Sequence, residues 1–109
     1  MLHWSSELYI GEGIGGKMKE LRRDLDEGKT AENAWLITLS TNRSNQLDIV
    51  HTLFLRQPWI RKSLPMIVGV AGSKKEAMNM VMNILTDSLK THCGTDMRAY
   101  LVEKHHTVM

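Results

Sequence analysis

The sequence predicts a single three-layer α/β domain over 1–109, with three helices on a mainly parallel sheet of about four strands. Three observations predict it. Short apolar runs of strand length alternate with longer stretches whose apolar residues recur at helical spacing. Glycines and prolines punctuate the boundaries between them. A chain of 109 residues suits one domain with a modest core.

Leu8-Tyr9-Ile10 reads as a first short strand, with Trp4 near its start. A glycine-rich loop, Gly11-Glu12-Gly13-Ile14-Gly15-Gly16, follows. From Lys17 to Glu27 the spacing of Met18, Leu21 and Leu25, continued back to Ile14, gives the narrow apolar seam of a helix. Gly28 is its natural stop. Residues 33–40 carry the nearly continuous apolar run Ala34-Trp35-Leu36-Ile37-Thr38-Leu39, which suits a strand covered on both faces.

Asn45 is placed to cap a helix to about Leu55, where Leu47, Val50 and Phe54 share a face with Ile49 and Leu53. Residues 56–65 form a connector bounded by Pro58 and Pro65. Met66-Ile67-Val68-Gly69-Val70-Ala71 is the most strand-like run. Ser73 and Glu76 form a capping box that opens a helix to about Thr91. Arg98 to Glu103 alternates and reads as a last strand, leaving 104–109 as a loose polar tail. The expected order is β-α-β-α-β-α-β, with 35–39 and 66–71 at the sheet centre.

Blocks Leu8-Tyr9-Ile10, Leu36-Ile37-Thr38-Leu39, Asn45-Gln46-Leu47-Asp48-Ile49 and Ile67-Val68-Gly69-Val70-Ala71, leading into Glu76-Ala77, resemble a small bacterial protein family common among Firmicutes. The resemblance covers most of the chain, and its motifs are strands, turns and caps. It implies a small α/β fold in a bacterial cytosol and implies no activity.

Composition narrows the function classes. Net charge is +2 with a pI near 8.8, without the concentrated basic face of a nucleic-acid binder. The segment Arg56–Lys62 sets Trp59 among Arg56, Arg61 and Lys62, a weak stacking motif that can equally bury Trp59 as a lid. No apolar stretch reaches membrane-spanning length, and residues 1–7 lack the pattern of a signal peptide. Cys93 is the one cysteine, so no internal disulfide forms and a reducing cytosol is expected. His92 and Cys93 are adjacent, no C-x-x-C or H-E-x-x-H spacing occurs, and neither a metal nor a cofactor is expected. No catalytic set is complete.

Two features point to binding. Gly11, Gly13 and Gly16 match G-x-G-x-x-G, and Gly11, Gly16 and Lys17 match G-x-x-x-x-G-K, with Met18 where a magnesium-holding hydroxyl belongs. Glycines let a backbone approach a phosphate, and a helix start attracts it. With parallel strands, Ser73 and Lys74 would join Gly11, Gly13, Gly16 and Lys17 at one sheet edge, with Thr41, Asn42 and Arg43 alongside. A small anion or nucleotide is the ligand this predicts. The structural alternative is a turn into a helix, with Ser73 and Asn45 acting as caps.

The third predicted helix is apolar over roughly 200° of arc at ~100° per residue, wider than packing on one sheet requires. Met80 and Met82 stand at opposite margins, and Met78 lies near Met82. Pliable methionines suit either neighbouring helices or a subunit interface. The expectation is a non-enzymatic cytosolic module that self-associates, as a dimer, through Met78, Met80 and Met82, with anion binding by loop 11–17 as the rival.

Overall fold

The computed structural model describes residues 2–29, 33–41 and 45–107. Its strands are β1 (Trp4–Ile10), β2 (Trp35–Leu39), β3 (Leu47–His51) and β4 (Ile67–Ala71). Its helices are α1 (Met18–Asp26), α2 (Pro58–Ser63), α3 (Lys74–Leu89) and α4 (Met97–Thr107). Short 3-10 turns at Gly15–Lys17 and Thr52–Arg56 precede α1 and α2.

The four strands form one sheet in the order β1-β4-β2-β3. β1 and β4 run parallel, whereas β2 is antiparallel to both β4 and β3. The sheet is therefore mixed, and the described elements run β-α-β-β-α-β-α-α with four helices, which corrects the expected mainly parallel sheet, the strict alternation and the three helices. β2 and β4 are central, as their apolar runs predict, and successive residues of both are buried, which places them under cover on both faces. One core cluster gathers Trp4, Leu21, Leu25, Leu36, Leu55, Ile67 and Val70 with Ile60 of α2 packed against it. The other gathers Ile37, Val68, Ala77, Met80, Ile84 and Leu101 from β2, β4, α3 and α4. Each fully buried aliphatic chain contributes about 1.5–3 kcal/mol to burial.

Two expected elements are overturned. The stretch read as a helix over 45–55 is strand β3 followed by a 3-10 turn. Leu47, Val50 and Phe54 fit a helical period, but Leu47 and Ile49 also alternate, and β-branched Ile49 and Val50 favour the pleated form. Pairing Leu39↔Leu47 through Trp35↔His51 satisfies the free edge of β2, a gain that no local periodicity displays. The run 98–103, read as a strand, lies inside α4. Asp96 Oδ1 accepts the Ala99 N–H at 3.0 Å, as an N-cap does. Met97, Tyr100, Leu101 and Lys104 then recur at i, i+3, i+4 and i+7. The helix continues through 104–107, where the sequence reads as a tail.

Polar ties fix how the layers meet. The Leu2 N–H and Trp4 Nε1–H donate to Asp26 Oδ1 at 3.1 and 2.9 Å, tying β1 to the end of α1. The Arg61 guanidinium donates to the Leu25 carbonyl near the same end. Tyr9 Oη donates to Asp87 Oδ2 at 2.6 Å and lies 2.9 Å from Tyr100 Oη, which joins β1, α3 and α4. Burial first, then the bond to Asp87, pushes the Tyr9 phenol far above its ordinary value, so it stays a donor.

Candidate functional site

Because β1 and β4 are parallel, the loops that leave them share one sheet edge. The Gly11 N–H donates to Val70 O at 2.8 Å and extends the ladder one residue past β1. Glu76, in the first turn of α3, fills the space above. Its carboxylate accepts the Gly72 N–H at 2.7 Å and the Gly13 N–H at 3.0 Å. These two amide bonds hold its carboxyl below the ordinary glutamate value. Ser73 Oγ accepts the Glu76 N–H at 3.1 Å, which is half of the expected capping box. The other half departs from the pattern: the carboxylate reaches Gly72 and Gly13 and links two loops.

This placement accounts for most of the glycine pattern. A Cβ on Gly11 would stand 2.1 Å from Glu76 Oε1, and one on Gly72 would stand 3.0 Å from the Gly13 backbone. Gly13 is similarly crowded by Glu76 and Gly72. Gly15 has φ +55°, a left-handed conformation that disfavours other residues. Gly16 has open space around its Cβ position. Thus two amides suited to an anion face a carboxylate of the same chain.

Lys17, exposed at the end of its 3-10 turn, borders a cleft of about 270 Å³ with Glu20, Asp24, Asn33 and Gly72. Two carboxylates beside a lysine oppose a phosphate there. Lys74, the first residue of α3, is exposed at the same edge. Thr41 is not. It follows an antiparallel strand and lies at the opposite edge with Pro65, Asp96 and Arg98. The expected joining of 41–43 to 73–74 is therefore corrected by strand direction, and Asn42 and Arg43 lie outside the described residues.

α3 separates its methionines. Met80 is 6% exposed and sits over the sheet, where a Cβ on Gly69 would come within 2.7 Å of its sulfur. Met78 and Met82 are 56% and 58% exposed, and Leu89 is 53% exposed. Met78, Met82, Leu85 and Leu89 follow one another at spacings of four, three and four residues. That spacing keeps them on one narrow stripe, the pattern of a coiled-coil seam. The stripe lies roughly 120° around the helix from Ala77, Ile84 and Ser88, which face the core. The exposed residues between Lys75 and Lys90 are Met78, Asn79, Met82, Asn83, Thr86 and Leu89, none of them charged.

The connector 56–65 contains α2. Trp59 is exposed there and donates its Nε1–H to Gln57 Oε1 at 2.9 Å, so it forms no lid on the core. Ile60 and Leu64 pack on the core instead. Arg61 holds the Leu25 carbonyl, so one of the segment's three cations caps a helix end.

The turn between α3 and α4 brings together residues that the sequence leaves apart. Cys93 Sγ donates to Glu103 Oε2 at 3.0 Å, and His92 Nε2 lies 3.0 Å from Glu103 Oε1. The bond to Glu103 raises the Cys93 thiol, the reverse of an activated nucleophile. Reading 98–103 as a strand hides this meeting, because only a helix returns Glu103 over the turn. Among the described residues this is the one group whose donors could share a metal.

No helix in the described residues is long and apolar enough to cross a membrane. Comparison with protein-family models, curated proteins and solved structures finds no match to this chain.

Proposed function

We propose that this chain is a non-enzymatic binding module that pairs with a second copy of itself through the outer stripe of α3. The observation that carries the reading is the uncharged seam Met78–Met82–Leu85–Leu89 on the solvent side of a helix whose other face already fills the core. A solvated helix face ordinarily carries charge, whereas interface cores are depleted of charge and enriched in methionine. Met78 to Leu89 spans about 16 Å at 1.5 Å per residue, long enough for two copies of α3 to cross. A symmetric pair buries the same stripe twice, which is the commonest way for a small domain to associate.

The resemblance to a small bacterial family supplies a cytosolic setting and no activity for this proposal. Anion binding by loop 11–17 is the weaker reading, because Glu76 already engages the Gly13 and Gly72 amides. Light scattering over a concentration series tests the proposal. The expected result is a mass rising from one chain to two. A single-chain mass at every concentration would contradict it.

A further inference from the structure

The α3–α4 turn and α4 bring three different metal-binding groups within reach of one another. We propose that His92, Cys93 and Glu103 form a site for a zinc-class divalent cation, with imidazole nitrogen, thiolate sulfur and carboxylate oxygen as its three protein ligands. Their ligand atoms all lie within 4.8 Å of one another. The separations are 3.0 Å for His92 Nε2 to Glu103 Oε1, 3.0 Å for Cys93 Sγ to Glu103 Oε2 and 3.8 Å for Cys93 Sγ to His92 Nε2. Zinc bonds of about 2.0–2.3 Å in tetrahedral geometry place neighbouring ligands roughly 3.4–3.6 Å apart. The two Glu103 contacts run to different oxygens, and with one ligand atom from each residue the three atoms lie within 4.8 Å of one another, so rotation of the exposed His92 and Glu103 side chains closes the set around one ion.

The turn that presents these groups is held by its own bonds. Ser88 Oγ donates to Gly94 O at 2.7 Å, and Thr91 Oγ1 donates to Ser88 O at 2.7 Å. The Cys93 N–H donates to Thr91 Oγ1 at 3.1 Å, and the Asp96 N–H donates to Cys93 O at 3.0 Å. Gly94 at φ +58° makes the reversal that starts α4 and sends Glu103 back over the turn. The donors thus come from the turn and from α4, and the turn is held by the Ser88 and Thr91 hydroxyls and a backbone bond, none of which uses a donor side chain.

The donor types select the cation. Magnesium and calcium take oxygen ligands, whereas a sulfur and nitrogen pair selects zinc and its softer neighbours. On binding, the Cys93 Sγ–H bond breaks, the sulfur keeps the electron pair for the metal, and the proton leaves to solvent. His92 binds through the lone pair of neutral Nε2. Three protein ligands leave a fourth position for water, and the site opens on a shallow cavity of about 320 Å³ bordered by Glu7, Tyr100 and Lys104. No atom of this site belongs to the α3 seam, so the two proposals stand or fall separately.

The test uses the full chain, treated with chelator and titrated with Co²⁺. Cys93 is the only cysteine, so a thiolate-to-cobalt charge-transfer band can come from no other residue. The expected result is that band, saturating at a single Co²⁺ per chain and bleached by Zn²⁺ but not by Mg²⁺. Cys93→Ser abolishes it. Glu103→Gln and His92→Ala weaken binding at least as much as the roughly 10–100-fold lost with an outer-shell partner. His92 and Glu103 side chains are 78% and 52% exposed, so these variants keep the fold, as circular dichroism would show. Absence of a charge-transfer band in the wild type, or unchanged affinity in Glu103→Gln, would overturn the proposal.

Discussion

The first turn of α3 and its outer stripe belong to one helix but meet their surroundings in opposite ways. At the first turn, the loop that resembles a phosphate cradle meets a carboxylate of its own chain, and the Gly13 and Gly72 amides both bond to Glu76. Along the stripe, Met78, Met82 and Leu89 resemble ordinary core residues yet stand more than half exposed. The difference teaches that a binding motif is defined by what its groups have left to bind. A glycine-rich loop supplies amides, but a nearby internal acceptor uses them. A methionine stripe supplies apolar area, and here the sheet uses only the neighbouring face.

The sharpest way to separate the two faces of α3 is truncation. Met80→Ala should cost about 2–5 kcal/mol of unfolding free energy, because it opens a cavity against the sheet. Met78→Ala and Met82→Ala should stay within about 0.5 kcal/mol in a chain held at monomer concentrations. Denaturant melts of the three variants check this. Equal costs would erase the distinction between the faces.

Next in size is the crowding between loops. Gly72→Ala places a Cβ 3.0 Å from the Gly13 backbone, which cannot retreat as a flexible side chain can. The expected loss is about 1–3 kcal/mol, read as a lower denaturation midpoint with an unchanged slope. A neutral result would mean that the loops do not meet as described.

Glu76→Gln should cost about 1 kcal/mol near neutral pH, a value held down by the partial exposure of the carboxylate. Its pH dependence is more telling. The folded-state carboxyl lies below its ordinary value of 4.5, so its stabilisation is fully present above that value. The stabilisation is lost as the pH falls through the lower folded-state value. The wild type should therefore converge on Glu76→Gln in acid and exceed it above pH 4.5. Parallel pH profiles would show that the carboxylate contributes nothing through its charge. Sulfate should raise the melting temperature of Glu76→Gln more than that of the wild type, since the substitution removes the competing charge. Equal shifts would favour an anion site independent of Glu76.

The smallest effect is expected at Gly16, whose Cβ position is open. Gly16→Ala should be neutral or stabilising by up to about 1 kcal/mol, through a less flexible unfolded chain. A large loss would mean that the Cβ position of Gly16 is not open as described.

Much of this architecture is legible in the sequence, and the failures share a cause. The central strands show themselves because Leu36-Ile37 and Ile67-Val68 are apolar on both faces. Ser73 shows itself as a cap because capping is local. β3 does not, because Leu47, Ile49 and Val50 satisfy two periods, and pairing with a distant strand decides between them. The direction of β2 is equally non-local, and it alone moves Thr41 away from the glycine loop. α4 carries one local signal, Asp96 three residues before Ala99, which the alternation of 98–103 outweighs. Without that helix, nothing in the sequence links Glu103 to His92 and Cys93. The role of Glu76 is half visible in the sequence, since its capping position is local whereas its reach to Gly13 depends on how the loops fold together.

The central claim is that the outer stripe of α3 pairs two copies of the chain. Sedimentation equilibrium on the wild type and on a variant carrying both Met78→Glu and Met82→Glu tests it most directly. Losing two buried methionines, at about 1.5–3 kcal/mol each, should raise the dissociation constant by at least roughly 100-fold. The account predicts a reversible dimer for the wild type and a monomer with an unchanged circular dichroism spectrum for the variant. A wild type that sediments as a monomer throughout, or a variant that dimerises as tightly as the wild type, would contradict it.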